Sequence, residues 1–339
     1  MRLNELKIEI TNHCLLNCVH CSTEAGINLN TTFSDELIER LLFEAAELGC
    51  NHFYFSGGEP LLIKNISKHI RKVSQKDSII KVYTSGIVSL NPPTPISEEK
   101  IQDLYESGVT HLVFSLYSSK PNIHDRITRV KGSFCATVAA IKSAVLAGIY
   151  TEVHFVVLKP LLNELKNLTE FISSIGVKQL SILRFVPQGR GIDSSDRLTP
   201  DKADYVVLRK LINKLRECYA NLVIRTGSPF NFLILGNATP CTTGRDKLII
   251  DPNGYAYPCD ALKQVKSYNT NNNIYSDSLK SIIENASLFK LVQNKEYPNV
   301  CIKCEYFGLC KSGCIAQRIL SSDKFNVIRD PSCIKKLIS

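Results

Sequence analysis

Along residues 5–219, short apolar runs alternate with longer stretches in which apolar positions recur every three or four residues. The runs at 5–10, 52–55, 79–84, 111–116, 151–158 and 179–186 suit buried strands, and a helical repeat follows each. In the first repeat Leu37, Ile38, Leu41, Leu42, Ala45 and Leu48 share one face, with Ser34 as the expected N-cap and Gly49 as the stop. Ser97 with Gly108, and Ser133 with Gly148, bracket two more helices, and Gly176 ends one that begins near Leu162. Thr199-Pro200-Asp201 opens a last helix with Val206, Val207, Leu211, Leu215 and Cys218 on its apolar side.

Six consecutive βα units predict an α/β domain with a parallel sheet, either doubly wound or curled into a partial barrel. Both architectures gather ligands at the carboxyl ends of the strands. The loops placed there are CLLNCVHC (14–21), SGGEP (56–60), TSG (84–86), SLYSS (115–119) and RFVPQGRG (184–191). The rhythm stops after about residue 225, where cysteines become dense. Residues 246–260 predict a hairpin turning at Asp251-Pro252-Asn253-Gly254, 269–273 a surface loop and 278–293 one amphipathic helix. The expected organisation is a barrel domain over 1–225 and a smaller domain over 226–339. The second is too poor in apolar runs to fold without help from metal.

Composition narrows the setting. The 339 residues are 44% hydrophobic and 22% charged, with no membrane-length apolar run and no signal-peptide layout at the N-terminus, so a cytoplasmic location is expected. Thirteen cysteines in that compartment point to metal ligation or catalysis rather than disulfides. The net charge of +9 is spread along the chain and favours acidic partners in general.

Cys14, Cys18 and Cys21 lie on one short loop after the first strand. Three thiolates at this spacing suit three irons of a cubane cluster and leave the fourth open; a structural zinc loop is the alternative. With SGGEP after the next strand, the loop resembles the radical S-adenosylmethionine (radical SAM) enzymes. That resemblance implies a partial (β/α)6 barrel with a 4Fe-4S cluster on Cys14, Cys18 and Cys21, and S-adenosylmethionine chelating the open iron. Cleavage of the cofactor to a 5′-deoxyadenosyl radical then abstracts a substrate hydrogen. It also implies that Gly57, Gly58 and Glu59 receive the cofactor's amino group. Ser115 and Arg126 hold its carboxylate or ribose, Ser85 stands where the family often has Asn, and His20 lies beside the adenine. Tyr117 replaces an acidic residue common in the family and is assigned no role.

The C-terminal cysteines resemble the SPASM domain: Cys241, Gly254 followed by Cys259, CIKCEYFGLCKSGC (301–314) and Cys333. By that resemblance Cys301, Cys304, Cys310 and Cys333 bind one auxiliary cluster of a small iron–sulfur-rich α+β domain. Cys241, Cys259 and Cys314 bind another, which lacks a fourth cysteine because Leu235 stands where some relatives have one. A non-cysteine side chain, a remote thiol such as Cys218, or substrate would then complete it. Cys50, Cys135 and Cys218 are expected as small buried hydrophobes. Asp260 matches the proton-accepting aspartate of sulfatase maturases. The expected activity is modification of a ribosomal peptide or protein by crosslinking (thioether or carbon–carbon), dehydrogenation or epimerisation. Formylglycine formation, modification of a tetrapyrrole or sugar, and a zinc-stabilised nucleic-acid-binding module are the alternatives. A flavodoxin or ferredoxin is the expected electron donor. The chain starts at its first barrel strand, which suggests leader recognition by the rim, the second domain or a separate protein.

Overall fold

Alternation within the strands decides how the sheet is used. The computed structural model describes residues 2–338 apart from 237, 264, 266–271, 295, 323 and 325. In chain order the strands are β1 (Glu5–Glu9), β2 (His52–Ser56), β3 (Ile79–Thr84), the short pair β4 (Ile87–Ser89) and β5 (Thr94–Pro95), β6 (His111–Ser115), β7 (Tyr150–Val157), β8 (Gln179–Arg184), β9 (Val223–Thr226), β10 (Lys247–Ile250) and β11 (Ala256–Tyr257). One nine-stranded sheet runs β11-β10-β1-β2-β3-β6-β7-β8-β9, and every ladder is parallel except β10 with β11. This is the partial-barrel arrangement rather than the doubly wound one.

Leu6, Ile8, Phe53, Phe55, Val82, Phe114 and Phe155 belong to the core that the outer helices cover. Their neighbours along the strands point inward and are mostly polar or aromatic, Val113 and Val156 excepted. Lys81 on β3 pairs with Glu152 on β7 at 3.0 Å. Glu152 also meets His154 Nε2 at 2.9 Å and accepts from Ser181 Oγ on β8 at 2.5 Å. The inner wall is thus a charged, aromatic-lined surface, although the strand runs look apolar in the sequence.

The helix capped by Ser34 spans Asp35–Glu47 and buries Ile38, Leu41, Leu42 and Ala45; Ser34 Oγ accepts from Leu37 N at 3.2 Å. Ser97 caps Glu98–Ser107, which ends on Gly108 at φ 101°. Ser133 does not cap its helix. It is the first residue of Ser133–Leu146, and the cap is supplied by Asp125 of the preceding helix (Pro121–Thr128). That carboxylate accepts from Gly132 N (2.7 Å), Phe134 N (2.8 Å) and Ser133 Oγ (2.9 Å). Helix Lys202–Cys218 buries Tyr205, Leu208, Ile212 and Leu215, while Val207 is exposed; the buried stripe follows the aromatic Tyr205 rather than the Val206-Val207 pair. Cys218 and Cys135 are exposed and only Cys50 is buried, so two of the three are not core residues.

The expected hairpin forms as β10 and β11, with Asp251 Oδ1 accepting from Asn253 N and Tyr255 N. It continues the barrel sheet, because β10 lies beside β1 with Glu5 opposite Lys247. The expected single helix at 278–293 is two, Leu279–Asn285 and Ser287–Gln293, broken at the buried, extended Ala286, which is the C-cap of the first and the N-cap of the second. Of the Asn-rich stretch, 269–271 lie outside the described residues. Asn272 is buried and bonds Ala256 through both backbone and side chain, so it is not surface loop. No described helix is long and apolar enough to cross a membrane.

Candidate active site

The cysteine loop leaves β1 and is held from several sides. Gly58 N donates to Thr11 O at 2.6 Å and Glu59 N to His13 O at 2.8 Å. A side chain at either Gly57 or Gly58 would collide with the Thr11–His13 backbone, so these glycines first serve the approach of two loops. Asn17 N and Val19 N donate to Thr128 O and Ile127 O at the end of the helix that carries Arg126. Arg126 itself is exposed, without an ion-pair partner among the described residues.

Glu59 is buried, and its four acceptor positions are filled. Oε1 accepts from Thr84 Oγ1 (2.6 Å) and Leu61 N (3.2 Å), and Oε2 from Ser85 N (2.8 Å) and Ser85 Oγ (2.6 Å). Burial raises its pKa, and the hydrogen bonds oppose that rise. Glu59 therefore ties the exit of β2 to that of β3, and the Ser85 hydroxyl is spent on the same task.

Ser115 ends β6, and its side chain bonds Tyr117. The buried Tyr117 ring stands edge-on to His20 at 4.9 Å and stacks on His124 at 5.5 Å. Burial, with Arg190 nearby, lowers the His20 pKa to about 4, and its Nδ1 is buried with no hydrogen-bond partner. Arg190 was not foreseen among the site residues. Its Nε donates to Cys18 O at 3.0 Å and its backbone N to Cys21 O at 3.1 Å, closing the loop after β8 onto the cysteines. Gly189 fits because any side chain there would strike Cys21 O. The RFVPQGRG run carried the signal for both.

The charge of Cys21 is felt by both Cys14 and Cys18. Burial pushes Cys14 up to about 12, with the Glu59 carboxylate adding to the rise, and burial likewise lifts Cys18. Among the described residues no three His, Cys, Asp or Glu side chains converge tightly enough to hold a single metal ion. A cubane takes its thiolates at separate corners, so this donor set fits such a cluster. The buried, unpartnered His20 nitrogen beside it fits a neighbouring polar ligand.

In the C-terminal part, burial pushes the Cys314 and Cys310 thiols up to about 12, with the charge of Cys259 adding to the first rise and those of Cys333 and Cys301 to the second. Cys241 and Cys259 pack against the small core that contains Cys314. Lys335 lies beside Cys304 and pairs with Glu305 at 3.2 Å. Asp330, another residue not foreseen, holds these segments together. It receives both Nη groups of Arg184 at 2.7 Å and accepts from Cys314 N at 2.8 Å, and its carbonyl accepts from Cys333 N.

Asp260 receives Lys7 Nζ at 2.7 Å, and Lys263 Nζ lies 3.9 Å away. Desolvation favours its neutral form, but Lys7, Lys263 and Lys247 outweigh this and hold the carboxyl well below the usual range. Lys263 in turn donates to Glu9 Oε1 (2.7 Å) and Ser22 Oγ (3.2 Å), joining the Cys259 turn to the first cysteine loop.

Both the barrel and its cysteine loop are those of a cofactor-dependent radical enzyme. Residues 8–172 match the Radical SAM superfamily, and 241–305 match SPASM, an iron–sulfur cluster-binding domain. The chain thus carries a radical SAM domain and a SPASM domain, and its cofactors are iron–sulfur clusters and S-adenosylmethionine. It is similar to the PqqA peptide cyclase of Granulibacter bethesdensis (24% identity over 97% of this chain and 86% of that protein). The AdoMet-dependent heme synthase of Methanosarcina barkeri (25%; 96% and 95%) and the mycofactocin maturase MftC of Mycolicibacterium smegmatis (25%; 96% and 81%) are also similar. Its fold is shared with Streptococcus suis SuiB bound to S-adenosylmethionine (TM-score 0.78, 18% identity, 98% and 77% coverage). The same holds for anSMEcpe bound to AdoMet and the Cp18Cys peptide (0.76, 18%, 99% and 95%).

Proposed function

We propose that this chain is a peptide-modifying radical SAM enzyme. Cys14, Cys18 and Cys21 would hold the cluster that activates S-adenosylmethionine, with His20, Gly57, Gly58, Ser115 and Arg126 around that cofactor. Cys301, Cys304, Cys310 and Cys333 would hold one auxiliary cluster, and Cys241, Cys259 and Cys314 another. The observation that carries the reading is the Lys263 bridge between Ser22 and the Cys259 turn, which supports a shared substrate space for the two cysteine regions. Two of the similar proteins named above are a peptide cyclase and a maturase.

When bound, the cofactors supply a 5′-deoxyadenosyl radical that removes a substrate hydrogen atom. The chain's own residues order the site. Glu59 fixes the β2 and β3 exits, Arg190 holds the Cys18 carbonyl, and Tyr117 walls off the His20 side. The polar inner wall suits a peptide backbone better than an apolar substrate. The reading includes a flavodoxin or ferredoxin as electron donor, and leader binding by the rim or a separate protein.

The test is a search of the flanking genes for a short precursor peptide, followed by anaerobic reconstitution of the enzyme with that peptide, S-adenosylmethionine and a reductant. The expected outcome is 5′-deoxyadenosine together with a modified peptide by mass spectrometry and chiral amino-acid analysis. Cofactor cleavage retained after Cys14, Cys18 and Cys21 are all changed to Ala would refute the cluster assignment. Cleavage coupled only to a tetrapyrrole would transfer the assignment to the class of the heme synthase relative. Formylglycine formation, the second reading, rests on the position of Asp260 after Cys259. An Asp260→Asn variant with full product formation would sink it.

A further inference from the structure

The inner wall of the barrel holds an imidazole whose hydrogen-bonding capacity the fold leaves half unspent. His154 lies in the second half of β7, in register with Ser115 on β6 and Ser181 on β8, and faces the lumen with them. Ser115 bonds Tyr117, the ring that stands against His20 beside the first cysteine loop. On its other side the His154 ring meets Tyr83 edge-on at 5.4 Å. Lys7 Nζ stands over the same Tyr83 ring at 5.1 Å and bonds Asp260, next to Cys259, at 2.7 Å. Printed contacts on one face of the sheet therefore carry His154 to both cysteine regions, within the space the proposed function gives to substrate.

His154 Nε2 meets Glu152 Oε1 at 2.9 Å, and the same carboxylate accepts from Ser181 Oγ (2.5 Å) and Lys81 Nζ (3.0 Å). Burial opposes ionisation of Glu152, but the bond and charge of His154, then Lys81 and Ser181, outweigh it and hold the carboxyl well below the usual range. An ionised carboxylate only accepts, so the ring donates from Nε2 and carries its lone pair on Nδ1. Among the described residues no hydrogen bond reaches Nδ1. The side chain is 16% exposed and Nδ1, unlike that of His20, is not buried. The charged and titratable groups facing the ring are Glu152 on its own strand, Lys81 and Tyr83 on β3 and Lys7 on β1; β6 and β8 present the neutral Ser115 and Ser181. Burial lowers the His154 pKa, with Glu152 opposing and the two lysines adding to the fall, so the ring is neutral at pH 7.

We infer that His154 Nδ1 is the proton acceptor for the peptide substrate, with Glu152 as its positioning residue. A crosslink or a dehydrogenation takes one hydrogen atom, one electron and one proton from the peptide. The hydrogen atom leaves a C–H bond for the 5′-deoxyadenosyl radical, and the electron passes to an oxidised auxiliary iron–sulfur cluster. The proton leaves a second X–H bond of the substrate for Nδ1, and the new bond joins the two atoms left behind. A carboxylate on Nε2–H fixes the tautomer and stabilises the imidazolium that this step creates. The assignment rests on the peptide-substrate reading and deepens it, naming the residue that receives the proton.

Two measurements test it. Diethyl pyrocarbonate acylates an open, unprotonated imidazole nitrogen, and is applied to the anaerobically purified full chain at pH 7. Carbethoxylation of His154 is expected by peptide mass spectrometry, with the fully buried His124 unmodified as internal reference. The second is turnover of the precursor peptide sought above, counting 5′-deoxyadenosine and modified peptide separately. His154→Gln keeps an N–H for Glu152 but has no base. It should form 5′-deoxyadenosine within about twofold of wild type while modified peptide falls about a hundredfold. Modified peptide per 5′-deoxyadenosine in the wild type should rise with pH through a midpoint below 6.5, a dependence absent from His154→Gln. Glu152→Gln, which removes the facing anion, should move that midpoint lower; an unmoved midpoint overturns the role of Glu152. No carbethoxylation of His154, equal loss of both products in His154→Gln, full modification by that variant, or a product epimerised at unchanged mass overturns the proton acceptor. Each of these leaves the peptide reading standing, whereas turnover confined to a non-peptide substrate removes both.

Discussion

At the scale of single residues, Glu59 shows how a carboxylate in a ligand-facing motif can be consumed by the scaffold. Its four donors come from Leu61 just after it and from Thr84 and Ser85 at the exit of β3, so Glu59→Gln places an amide N–H against hydroxyl and amide donors. The expected cost is about 2 kcal/mol in urea denaturation, together with weaker cofactor binding. An unchanged denaturation midpoint would mean that the scaffold role is unimportant. SGGEP and TSG were both legible in the sequence, but the bonding of Thr84 and Ser85 to Glu59 was not, because hydrogen-bond saturation depends on strand order. Arg190 and Asp330 escaped notice for a related reason. Each bonds a backbone group of a distant segment, and a backbone donor or acceptor leaves no trace in residue types.

At the scale of elements, Asp103 links two outer helices. It accepts from Lys100 (2.7 Å), Ser67 (2.5 Å) and Arg71 (2.6 Å), with Ser67 and Arg71 on helix Ile66–Val73. The Lys100 bond, then those from Ser67 and Arg71, hold its pKa at about 2, below the ordinary 3.8. Because folding lowers this pKa, the stabilisation is complete above pH about 4 and is lost as pH falls towards about 2. Wild type should therefore exceed Asp103→Asn in urea midpoint at pH 6, and the gap should close near pH 2.5. A gap independent of pH would count against the ionic origin. The order of strands and helices was readable because helical periodicity and Ser or Gly punctuation agree at Ser34, Ser97 and Gly108. It failed where a cap comes from elsewhere, as with Asp125 for Ser133–Leu146, and where Tyr205 outweighs two valines in choosing the buried face.

For the whole molecule, the buried Arg184–Asp330 pair joins β8 to the last cysteine segment. Removing one partner strands the other, so Asp330→Ala should cost about 3–5 kcal/mol, whereas the double change Arg184→Met with Asp330→Leu should cost much less. Iron analysis should show loss from the C-terminal cysteines before the first loop; equal loss from both would refute this partition. The two halves looked separable in the sequence because composition changes near residue 225. Their union through β10 was hidden, since parallel pairing of β1 with a strand about 240 residues later has no local signature. That pairing has a consequence for synthesis on the ribosome. The first strand to emerge acquires its outer neighbour only after residue 250 has left the exit tunnel. Until then one edge of β1, at the root of the cysteine loop, lies bare to other chains. A nascent chain stalled before β10 is therefore a species for chaperones to guard, and the last strands of the sheet act as the seal on the first.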